Sequence, residues 1–219
     1  MRIALSVALL LSTAMARAES LTASFPPGSG SRFTFASPYG TGELVVSIAA
    51  STPARLTVEC AFAVGAHELW QAFVIDAASR PPVVVGGFLL TGGARAPERI
   101  PPELLRGVDT FALDELLLGD RAALERFRIG DEQIVVPASP TPIRATRYER
   151  TKGDQTLTFW LSDDARPIGL VRLVSRGARA SQSYTLELRA LLKNVGRKID
   201  PAKAVPLKPE NRALFEPGR

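Results

Sequence analysis

The sequence predicts an α+β fold: a large curved antiparallel sheet or half-open barrel, with two or three short helices inserted mid-chain to cover the concave face. Three observations predict it. Apolar residues recur with a period of two along most of the chain; Leu56, Val58, Cys60 and Phe62 fall on one face of their run, and Arg55, Thr57, Glu59 and Ala61 on the other. Short polar turns separate such runs, which makes neighbouring strands antiparallel. Between Ile100 and Gly130 the period changes: Leu113, Leu116 and Leu117 recur at helical spacing, as do Leu124 and Phe127 or Arg128.

The elements follow in order. Residues 1–18 read as a signal peptide: Arg2 supplies the positive start, Ile3 to Leu11 the apolar run, and Ala16-Arg17-Ala18 the small-x-small cleavage pattern. Residues 19–32 contain FPPGSGSR and read as a flexible lead-in. A single antiparallel-sheet domain is expected over 33–199, with strands at 43–50, 55–62, 68–76 and 81–93 before the insertion. Pro102 opens a helical turn through Leu105, and Gly107 and Gly119 interrupt the helical run. Strands at 131–139, 143–150, 155–162, 167–175 and 183–192 follow, nine in all. Residues 200–219, with four prolines and the lysines Lys203 and Lys208, read as an extended tail.

Composition narrows the function. Of 219 residues, 27 are Lys or Arg and 22 are Asp or Glu, a net charge of +5. Loss of Arg2 and Arg17 with the signal leaves +3, spread along the chain rather than gathered in a stripe, so no nucleic-acid partner is expected. Cys60 is the only cysteine and cannot form an internal disulfide. No later apolar run reaches the ~18 residues of a membrane helix, so no transmembrane segment is expected in the mature chain.

Few residues suggest chemistry. Asp163 and Asp164 precede Arg166 in FWLSDDARPIGLVRLVS. Neighbours on a strand point to opposite faces, whereas catalytic carboxylates must converge. Ser162-Asp163-Asp164 is instead a turn, and Pro167 restricts Arg166 to the extended geometry that starts the next strand. His67 is the only histidine, and Cys60 lies on an apolar face, so neither a metal site nor a Cys–His nucleophile is expected. No phosphate loop, dinucleotide fingerprint or cation loop occurs, so no cofactor is expected and the chain reads as non-enzymatic. The aromatics offer either an ordinary core or the lining of an apolar pocket. As ligand-binding candidates we single out Phe62, Trp70, Phe73, Phe159, Tyr184 and Leu186. Trp70 and Trp160 read toward the other face, where exposed aromatics mark a partner surface.

The hairpin that carries Trp160, Ser162, Asp163, Pro167, Gly169, Leu170 and Val171 resembles one found in exported bacterial proteins of the lipoprotein-carrier-like family. The resemblance covers residues 140–195 and carries over no individual binding residue. It implies a curved sheet that holds apolar ligands in its concave face. The expected function is therefore that of a non-enzymatic periplasmic protein binding a lipid or acyl chain, with full secretion as the other destination. The alternative is an envelope interaction or scaffold module, with a solid core, a protein partner and no small-molecule ligand.

Overall fold

The period-two runs assemble into one sheet. The structure, a computed structural model, describes residues 21–65, 67–105, 117 and 121–215. Its strands are β1 (Gly30–Ser37), β2 (Gly40–Ser51), β3 (Arg55–Val64), β4 (His67–Asp76), β5 (Val83–Thr91), β6 (Glu98–Ile100), β7 (Arg128–Ile134), β8 (Ile143–Lys152), β9 (Gln155–Leu161), β10 (Leu170–Arg176), β11 (Tyr184–Leu192) and β12 (Val205–Pro206). They form a single open, curved, twelve-stranded sheet in the order β12-β6-β5-β4-β3-β2-β1-β11-β10-β9-β8-β7. Every pairing is antiparallel except β12 on β6. Short connections lay β1–β6 and β7–β11 down as two meanders, and the long-range pairing of β1 with β11 joins them.

Register explains the core. Directly opposed residues of an antiparallel pair share a face. One row across the sheet runs Leu188, Phe33, Leu44, Phe62, Leu69. Another runs Tyr148, Phe159, Leu173, Leu186, Phe35. Except for Leu69, which packs with the neighbouring cluster of Leu89 and Ile100, these residues belong to the main hydrophobic cluster, and we call the face they share the inner face; Phe33, Leu44, Leu173, Leu186 and Leu188 are all at most 2% exposed. Leu117 and Leu124 pack into the same cluster and Leu105 into its neighbour, so the described parts of the insertion do cover the inner face. The helical turns seen are Pro102–Leu105 and Arg121–Leu124, with a 3-10 turn at Glu125–Phe127. Leu113, Leu116 and the signal segment lie outside the described residues.

Several expectations change. The lead-in is packed rather than flexible over its described part: Phe25 is 8% exposed within the core, and β1 already begins at Gly30. A Cβ at Gly30 would lie 2.4 Å from the Val46 carbonyl oxygen, so this glycine permits a close backbone approach. β6 and β12 are too short to display an alternation. β7 starts at Arg128 and ends at Ile134, before Pro137. The tail is a strap rather than a free extension. Residues 195–204 cross the outer face, where Ile199 packs with Ala72, Phe88 and Leu90, beside Trp70 and Val74. The strap then adds β12 to β6, and Phe215 packs against Leu89, Ile100 and Leu105.

Candidate functional site

The six residues singled out as a ligand site divide between faces. Phe73, Phe159, Tyr184 and Leu186 are buried members of the inner-face cluster, and the half-buried Phe62 packs against it. Phe159 stacks on Tyr148 at 5.4 Å, and Tyr184 meets Phe35 at 5.9 Å. Trp70 lies on the outer face instead, under the Lys198 ammonium at 5.0 Å. Phe62 and Leu69 are direct partners, so Trp70, next along β4, must point the other way. Among the described residues, two clefts of about 390 and 200 Å³ are lined by none of the six.

Trp160 is not exposed either. Its ring lies between the Arg147 and Arg172 guanidinium groups, at 5.5 and 5.8 Å, and its indole N–H donates to Glu132 at 2.9 Å. That hydrogen bond, with a lesser contribution from Arg147, holds the Glu132 carboxyl below the usual range. Arg172 also pairs with Glu187 at 2.6 Å. An aromatic read as a partner surface is thus the apolar centre of a charged network.

The remaining chemical candidates separate. Burial and the neighbouring Glu59 push the Cys60 thiol up to about 12, well away from a reactive thiolate. His67 is exposed at the start of β4 and pairs with Val64, whereas Cys60 pairs with Gln71. Four strand positions separate the two, roughly 13 Å. No group of His, Cys, Asp and Glu among the described residues is arranged to hold a metal.

Asp163 and Asp164 form the expected turn, a 3-10 turn over Asp163–Ala165 in which the Ser162 hydroxyl accepts from the Asp164 N–H. Asp163 pairs with Arg166 at 2.8 Å. The turn borders the larger cleft, with Asp131, Arg144, Thr146, Tyr148 and Leu161. Asp131 is the fixed point of that cleft: Arg144 and Thr146 donate to it across the hairpin and Arg128 along its own strand, at 3.0, 2.9 and 2.8 Å. Those bonds hold its carboxyl below the usual range. The cleft therefore shows charged, hydrogen-bonded walls rather than an apolar lining.

The two edges of the sheet differ. On the β6 side of the sheet, two buried glutamates, Glu59 on β3 and Glu98 on β6, capture the backbone of the strap. Glu59, 4% exposed, accepts from the Lys198 and Ile199 N–H groups, both at 3.0 Å. Glu98, 2% exposed, accepts from the Lys208 N–H and the Asn211 amide at 3.0 and 2.9 Å, with the Lys208 ammonium at 3.5 Å. Burial disfavours the Glu98 carboxylate, but the bonds from Asn211 and Lys208 outweigh this and hold its pKa below the usual range. β12 ends in Pro206, which has no N–H to offer a further strand. At the other side, no strand among the described residues pairs with the outer edge of β7, and Ile129 and Val135 there are 59% and 73% exposed.

Sequence reasoning missed Glu59 and Glu98, placing Glu59 on a wet face. The signal was the unbroken run VVVGGFLLT in β5, apolar on both faces and hence covered on both. The chain matches no protein-family model and no curated protein. Similar solved structures include MucB (11% identity over 85% of this chain and 60% of that one, TM-score 0.43) and the Pseudomonas aeruginosa MucA/MucB complex (11%, 90%, 62% and 0.42). The hypothetical protein CT021 from Chlamydia trachomatis is another (9%, 84%, 93% and 0.44). The chain spans less than two thirds of the MucB structures. Likeness at this level assigns no family.

Proposed function

We propose that this chain is an exported envelope protein that binds another protein and carries no lipid. One observation supports this reading above the others: the sheet face expected to hold a ligand is filled by its own side chains. Phe33, Leu44, Ile48, Leu56, Leu170, Leu186 and Leu188 are all under 2% exposed. An acyl chain would need an apolar cavity, and of the two clefts seen among the described residues one is walled by Asp131, Arg144, Asp163 and Asp164 and the other includes Arg166. The reading includes no catalytic step, in keeping with the buried Cys60 and the distant His67. Its setting is the periplasm, reached through the signal-like residues 1–18.

The competing reading places a lipid or acyl chain against Phe62, Phe73, Phe159, Tyr184 and Leu186. Mass spectrometry of a solvent extract of the exported protein separates the two. The present reading expects no lipid at stoichiometric level. About one lipid per chain, lost with Phe159→Arg in a variant that still folds, would overturn it.

A further inference from the structure

Resting on that reading, we infer that the outer edge of β7 is where the partner docks, as an added strand from an extended segment that carries a Lys or Arg. A free strand edge is a row of unpaired backbone donors and acceptors, and its complement is another extended backbone. Proteins that do not use an edge blunt it with proline, extra charge or a covering segment. This chain does so at β6, where the strap adds β12 and ends the ladder at Pro206. At β7 a bulge falls between Arg128 and Gly130, and Arg128, Asp131 and Glu132 carry charge, but those charges pair within the sheet, no proline occurs from Arg128 to Ile134, and Ile129 and Val135 stand exposed at or just beyond the strand.

Charge selects the occupant. Asp131 on β7 and the turn residues Asp163 and Asp164 line one cleft with a single guanidinium, that of Arg144. Asp131 is already engaged by Arg128 and Arg144, and Asp163 by Arg166. Asp164 makes no ion pair among the described residues, so the cleft offers one carboxylate outside these pairs beside the open edge. A cationic side chain on the added strand, opposite Asp131, points into this cleft. A second copy of the chain fits less well: pairing the whole of β7 with itself, antiparallel, sets Asp131 against Asp131.

The test uses the full exported chain, isotope-labelled, titrated to millimolar with the synthetic peptide acetyl-Thr-Val-Thr-Lys-Val-Thr-Val-amide. Expected are amide shifts centred on residues 128–134, lost when alternate peptide nitrogens are methylated. Replacing the peptide Lys by Glu weakens binding about fivefold, the worth of one exposed charge pair. Asp164→Asn removes most of that Lys-over-Glu preference. Three results would overturn the inference: no shift in β7, equal binding of the methylated peptide, or a concentration-dependent doubling of mass that protects β7 without peptide, which would assign the edge to a second copy. A lipid-free protein with a silent β7 overturns this inference alone, whereas stoichiometric lipid overturns the reading beneath it.

Discussion

The two edges of the sheet are built from similar material and finished differently. The β6 edge is closed by the chain's own C-terminal strap, held by two buried carboxylates that accept backbone N–H groups from Lys198, Ile199 and Lys208. The β7 edge ends in a charged strand that, among the described residues, pairs only inward, with β8. Anchoring carboxylates recruit a distant segment because a buried acceptor must be satisfied, and backbone N–H groups are abundant donors. Where the edge residues satisfy one another locally, as Arg128, Asp131, Arg144 and Thr146 do, no strand among the described residues is recruited to the edge.

The largest expected effect comes from opening the closed edge. Truncation after Gly196 removes Ile199, β12 and Phe215, and leaves Glu59 and Glu98 without their backbone donors. Total stabilities of about 5–15 kcal/mol do not survive such a loss, so the truncated chain should aggregate or resist purification as a monomer. Phe215→Ala alone should cost about 3–5 kcal/mol in urea unfolding, since it empties a buried site against Leu89, Ile100 and Leu105.

A smaller change separates the clip from the packing. In Glu59→Gln the side-chain amide faces the Lys198 or Ile199 N–H instead of accepting from it. The expected cost is about 1–3 kcal/mol, with exchange of the amides of residues 195–204 rising together. The Glu98 clip is sensitive to pH. Its carboxyl titrates below the usual glutamate range when folded, so its contribution is fully present above that range and lost as pH falls through the folded value. Wild-type protein should therefore loosen at Lys208 and Asn211 on acidification, and Glu98→Gln should remove that part of the pH dependence.

The smallest effect on stability is expected at the open edge. Gln133→Lys lies on exposed β7 and should change stability by less than about 0.5 kcal/mol. It should nevertheless weaken the cationic peptide, because it brings a like charge to the docking strand. A cost comparable to that of Phe215→Ala would mean that β7 is covered.

This contrast also marks what the sequence could reveal. The strand runs of β2–β5 and β8–β11 were legible because alternation is a local signal, and so was the Ser162–Asp164 turn. The strap was not. Val205 and Glu98 are far apart in the chain, and nothing in KAVPLKPENR alternates. Glu59 looked like a solvent-facing residue because its strand alternates well; only the two-faced apolar character of β5 hinted that the outer face was covered. The Asp131 cluster depended on register. Starting the strand at Asp131 rather than Arg128 hid the hairpin that sets Asp131 opposite Thr146. The six residues read as a ligand lining were nearly all placed on the right face, but alternation cannot distinguish a filled core from a cavity.

Residue-resolved amide hydrogen exchange on the free protein tests the central contrast most directly. The expected result is slow exchange across β5 and β6, with the outward amides of Arg128–Ile134 exchanging orders of magnitude faster until an extended peptide is added. Protection of β7 equal to that of β6 in the free monomer would contradict the account.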